Sequence, residues 1–96
     1  MLTGKQKRFL RSKAHHLNPV AQIGKEGLTE AAMKQILETI NVRELIKVNI
    51  LQNCFEEKEE MVPKFEEAGI MVVQQIGNIF VLYKEAEEDP QIVLPS

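Results

Sequence analysis

The dipeptide Gly77-Asn78 separates two apolar runs, IMVVQQI at 70–76 and IFVLYK at 79–84. Two turn-forming residues between strand-like runs read as a two-residue hairpin, so these strands must be antiparallel neighbours. Upstream, ELIKVNIL at 44–51 alternates Lys47 and Asn49 with Ile46, Val48 and Ile50, which is the period of a strand. VAQI at 20–23 is a shorter strand candidate. The intervening segments are helix-like, and strands joined through helices pair in parallel. The expected architecture is a single α/β (α+β) domain in the order α-β-α-β-α-β-β. Its mixed four-stranded sheet carries the helices packed on it.

Local signals bound the helices. Thr3 can cap the first, with Gln6 completing a capping box, and Leu10, Ala14 and Leu17 recur at helical spacing. Asn18-Pro19 ends it, because a residue before proline avoids the α region. Thr29 can cap the second helix, whose apolar stripe is Met33, Ile36, Leu37 and Ile40. Leu28 and Met33 occupy the positions of a hydrophobic staple. A third, acidic helix over 56–68 carries Met61, Phe65 and Ala68 inward. Pro63 lies within it; a helix-interior proline costs about 3 kcal/mol, so a kink or a restart is expected there. Residues 85–96, EAEEDPQIVLPS, form an acidic tail expected to hang free or to add a loose edge segment.

With 96 residues, the chain supports one core but not two lobes around an enclosed cleft. No apolar run approaches the roughly 18 residues of a membrane helix. MLTGKQKRFLRSK is too charged for a secretory signal. Cys54 is the single cysteine, which excludes an internal disulfide and offers no metal site. A cytoplasmic protein without membrane contact is expected. No Ser/His/Asp or Cys/His arrangement is suggested, and Glu56, Glu57, Glu59 and Glu60 form one solvated run. Neither catalysis, a cofactor nor a small-molecule substrate is therefore expected.

The net charge of −2 conceals an asymmetry. Residues 1–54 hold nine Lys and Arg against four Glu, a balance of +5; residues 55–96 hold three Lys against ten acids, a balance of −7. A basic half suits a polyanionic partner. On the first helix, Leu10, Ala14 and Leu17 fall within about 60° of one another, while Lys5, Arg8, Arg11 and His15 lie on the opposite side. Lys7 and Lys13 flank that stripe. Exposed helix faces usually mix signs and gain pairs between residues four apart. This face has no acid, which favours an anionic ligand over a merely solvated surface.

The second candidate is QIGKEGLT, 22–29, where Gly24 and Gly27 bracket Lys25 and Glu26. Glycine permits close backbone approach and positive φ, and a helix N-terminus favours phosphate. KH modules clamp a nucleic-acid backbone with such a GxxG loop. A strand-to-helix turn that simply needs glycine would look the same. Most of the five aromatics suit core positions and no strand carries a pair of them. Contact through phosphates and shape, more than base stacking, is therefore expected.

Together, LTGKQKRFLRSKAHHLNPVAQIGKEGLTE, ELIKVNIL and QQIGNIFVLYK closely resemble the CRM (CRS1/YhbY) family, especially its stand-alone bacterial members. The resemblance runs from Leu2 to about Lys84, making 1–84 the CRM domain. It implies a fold similar to the C-terminal domain of bacterial translation initiation factor three. It also implies binding of RNA, in bacterial members the ribosomal RNA of large-subunit precursors, with a role in ribosome assembly; plant relatives act in organellar splicing. By position, Gly24, Lys25 and Gly27 of the loop and Lys5, Lys7, Arg8 and Arg11 of the first helix are the implied contacts, with His15 extending the basic face. A monomer is expected. Two positions depart from the family pattern: Glu26, where relatives are commonly small or neutral, and Pro63. The rival expectation is a protein-interaction module whose acidic half docks on a basic ribosomal protein.

Overall fold

A computed structural model describes residues 2–96. In chain order the elements are α1 (Gly4–Ala14), β1 (Pro19–Ile23), α2 (Glu30–Arg43), β2 (Leu45–Ile50), α3 (Lys58–Glu67), β3 (Met71–Ile76) and β4 (Ile79–Tyr83). The strands form one sheet in the order β1-β2-β4-β3. β1 and β2 are parallel, while β4 is antiparallel to both β2 and β3. The Gly77-Asn78 turn pairs Ile76 with Ile79, and Gly77 supplies the positive φ of 56° that the turn needs.

The caps act as their chemistry requires. The Thr3 hydroxyl accepts from Gln6 N–H at 3.1 Å, and the Gln6 side chain returns a bond to Thr3 N–H at 3.0 Å. The Thr29 hydroxyl accepts from Ala32 N–H at 3.1 Å. α1 ends at Ala14, so Leu17 falls outside the helix and is exposed, not part of its buried stripe. α3 runs unbroken through Pro63, without a restart. Pro63 and Glu59, whose carbonyl loses its N–H donor, are both exposed, so water can take that bond.

Helices lie on both faces of the sheet over β4, which is why β4 reads as a nearly continuous apolar run. On one face, α2 and α3 bury Ile36, Ile40, Met61 and Phe65 against Ile23, Val48, Phe80 and Leu82. Phe65 and Phe80 meet edge to face with centroids 5.4 Å apart, a favoured aromatic geometry. On the other face, α1 buries Leu10 and Ala14 against Leu45, Val73, Val81 and Tyr83.

Residues 85–96 contain no helix or strand, but they do not hang free. Glu44, nearly fully buried at 1% exposure, ends α2 with a left-handed φ of 66°. Its carboxylate accepts from Ala86 N–H at 3.2 Å, Gln91 N–H at 2.6 Å and Ile92 N–H at 3.1 Å. Burial pushes its pKa up, but these three N–H donors outweigh burial and hold it below the ordinary carboxylate value. Ile92 and Leu94 then pack beside α1. The tail is tied down because a buried carboxylate needs donors, and its backbone supplies them.

Candidate nucleic-acid interface

The capping box and buried Leu10 and Ala14 fix which side of α1 faces the sheet. Lys5, Lys7, Arg8, Arg11, Lys13 and His15 are consequently all exposed. The two ion pairs among the described residues, Lys64–Glu56 and Lys84–Glu87, involve none of them. Lys13 lies over the Phe9 ring, 5.5 Å from its centroid. Lys5 reaches the tail, donating to the Ser96 carbonyl at 3.4 Å. His15 caps the C-terminal end of α1, so its place on the stripe is retained.

The glycine loop follows β1 and closes as a turn, with Gly27 N–H donating to the Gly24 carbonyl at 3.0 Å. Its two glycines have different surroundings. Gly27 has a φ of +88°, and a Cβ there would lie 2.6 Å from Glu56 Oε1 and 2.7 Å from Glu56 Cβ. A Cβ on Gly24 would meet nothing within 4 Å, and its φ is not left-handed. Gly27 is therefore required by the fold itself, whereas Gly24 leaves the backbone open to approach from outside.

Glu56 occupies much of the ground that a phosphate would take. Its Oε1 accepts from Leu28 N–H at 2.7 Å, one residue before the α2 cap, and its other oxygen pairs with Lys64. Burial raises its pKa, but the Lys64 and Leu28 hydrogen bonds outweigh that and hold the carboxyl below its ordinary value. The loop is thus braced from within by an internal anion. Its outward-facing chemistry is Lys25, the open Gly24 and the exposed Glu26.

The loop and the α1 stripe are not side by side. α1 packs over Leu45, Val73, Val81 and Tyr83, so its cover reaches the row where Val81 pairs with Lys47. The loop follows Ile23, which pairs with Ile50 at the other end of β2. At about 3.3 Å per strand residue, the loop lies roughly 10 Å along β2 beyond the last row under α1. The adjoining sheet surface is only partly covered. Gln22, Lys47, Asn49 and Ile79 share α1's face, and Lys47 adds a cation at the edge of α1's cover. Its alternation within β2 signalled that this face was not fully buried. Phe55, which sequence reasoning grouped with the other aromatics, is 76% exposed beside the loop. Nothing in its local sequence distinguishes it.

The arrangement is a three-layer α/β domain with an unpaired cationic helix, an open sheet strip and a glycine loop spread along one side. This spacing suits an extended polyanion better than one isolated phosphate. The chain belongs to the CRS1 / YhbY (CRM) domain family, which matches residues 2–84. It is 55% identical over 96 residues to "Probable RNA-binding protein YqeI" of Bacillus subtilis, covering 99% of this chain and 100% of that one. It is 43% identical to "RNA-binding protein" of Haemophilus influenzae, covering 98% and 95% of the two chains. The solution structure of the hypothetical protein SAV1595 from Staphylococcus aureus superposes with a TM-score of 0.81 at 51% identity, covering 99% and 100%.

Proposed function

We propose that this protein binds RNA, specifically ribosomal RNA in precursors of the large subunit, and assists their assembly as a cytoplasmic monomer. The observation that carries this reading is the α1 stripe, where Lys7, Arg8, Arg11 and His15 are exposed with no Asp or Glu paired to them. Similarity to relatives named RNA-binding proteins supports RNA as the polyanion. Lys5, Lys7, Arg8 and Arg11 contact phosphates along α1, Lys47 bridges the open strip, and Lys25 makes the far contact with Gly24 and Gly27 shaping the loop. Such binding is governed by counterion release: six phosphate contacts give a log–log salt slope of about −4 to −5.

The test is a titration of ribosomal RNA fragments with wild-type protein and with an Arg8→Glu/Arg11→Glu/Lys25→Glu variant. The variant should lose affinity for all fragments and show a shallower salt slope. Equal binding by the two proteins would overturn the site. Association with precursor particles in cells should be lost on nuclease treatment; survival would favour docking of the acidic half on a basic protein.

A further inference from the structure

The exposed aromatic at the glycine loop has no role in the reading above. Among the other aromatics, Phe65, Phe80 and Tyr83 are buried and Phe9 is packed against the α1 core. Phe55 is the exception, with three-quarters of its surface in solvent. It is also held in place. Its N–H donates to the Lys25 carbonyl at 2.9 Å, and Leu51 N–H donates to the Ile23 carbonyl at 2.9 Å. The next residue, Glu56, is locked to Leu28 and Lys64. The phenyl ring is therefore presented on a braced backbone. Lys25 Nζ stands 5.4 Å from its centroid, a cation–π arrangement.

A flat apolar ring beside a mobile ammonium matches the two parts of a nucleotide. Aromatic side chains stack unpaired bases, and a neighbouring cation takes the phosphate. We propose that Phe55 and Lys25 form a one-nucleotide site for an unpaired RNA base. The base stacks on Phe55 in place of the Lys25 ammonium, which swings to the base's phosphate, and the strand passes over Gly24, where no side chain obstructs it. This rests on the RNA-binding reading and adds a requirement to it. A base inside a double helix already has both faces stacked, so duplex RNA cannot use the ring. The exposed carboxylates of Glu26 and Glu57 flank Lys25 and Phe55 in the chain. Lys25, followed directly by the exposed Glu26 carboxylate, suits a single phosphate and not a continuous backbone track. The α1 stripe and Lys47 hold the remaining backbone.

The test uses two blunt RNA duplexes of the same sequence, one fully paired and one with a single bulged 2-aminopurine. Wild type should prefer the bulged duplex and quench the probe. Phe55→Ala should lose roughly tenfold in affinity for the bulged duplex, as removing a stacking partner does. It should bind the paired duplex like wild type, keep its salt slope, and fail to quench. Phe55→Tyr should restore both preference and quenching. Unchanged affinity and quenching in Phe55→Ala would overturn the site while leaving RNA binding intact. Wild type binding neither duplex would overturn the RNA-binding reading and this site with it.

Discussion

The two glycines of the loop should respond differently to one added methyl group. At Gly27, alanine would have to hold a φ of +88°, which costs an L-residue about 1–2 kcal/mol. The new Cβ would also lie 2.6 Å from Glu56 Oε1 and 2.7 Å from Glu56 Cβ. The second contact is close to the backbone, so rotating the carboxylate away is not enough; the segment carrying Glu56 must shift. That shift breaks the Leu28 N–H bond, worth about 1.5–3 kcal/mol for a charged acceptor. Gly27→Ala is therefore expected to cost about 3–5 kcal/mol, a large share of the 5–15 kcal/mol typical of a domain. At Gly24 the added methyl meets nothing within 4 Å at an ordinary φ. Gly24→Ala should leave stability within about 1 kcal/mol of wild type, and could raise it by restricting the unfolded chain. Urea denaturation of the three proteins, fitted as two-state transitions, measures both differences. RNA titration should show the reverse order, with Gly24→Ala folded but weakened in binding. If Gly27→Ala is as stable as wild type, or Gly24→Ala loses as much as Gly27→Ala, the assignment of one glycine to the fold and the other to the surface is wrong.

Two further outcomes follow from carboxylates in opposite settings. Glu44's depressed pKa means its contribution to stability is fully present above the ordinary carboxylate value and is lost as pH falls through the depressed one. The amide proton resonances of Ala86, Gln91 and Ile92 should therefore move together on acidification, and Glu44→Gln should abolish that joint titration. Glu26 is exposed next to Lys25 and belongs to neither ion pair among the described residues. Glu26→Gln should tighten RNA binding by about two- to fivefold at low salt and have little effect at high salt, where surface charges are screened; weaker binding at low salt would show that the carboxylate contributes to the contact.

Much of the fold was legible because its signals are local. Thr3 with Gln6, Thr29, the Gly77-Asn78 turn and the alternation in β2 each act over a few residues. The cationic side of α1 was equally legible, since helical periodicity alone separates Arg8 and Arg11 from Leu10 and Ala14. The course of the tail was not, because it depends on partners distant in the chain. Glu44 and Ile92 are joined by a hydrogen bond across 48 residues, which no local pattern announces.

QIGKEGLT shows the same division most sharply. The sequence by itself determined that a strand would turn into a capped helix there, since glycine, threonine and apolar spacing bias the backbone locally. Only the tertiary structure decided that Glu56 would brace Gly27 and Leu28, that Gly24 would stay open, and that Phe55 would stand beside Lys25. It also set the loop at the far end of β1 from the rows that α1 covers, with Asn49 between them. Those placements arise from packing α3 and its leading segment against the sheet, and such long-range contacts are selected by burial of the whole core.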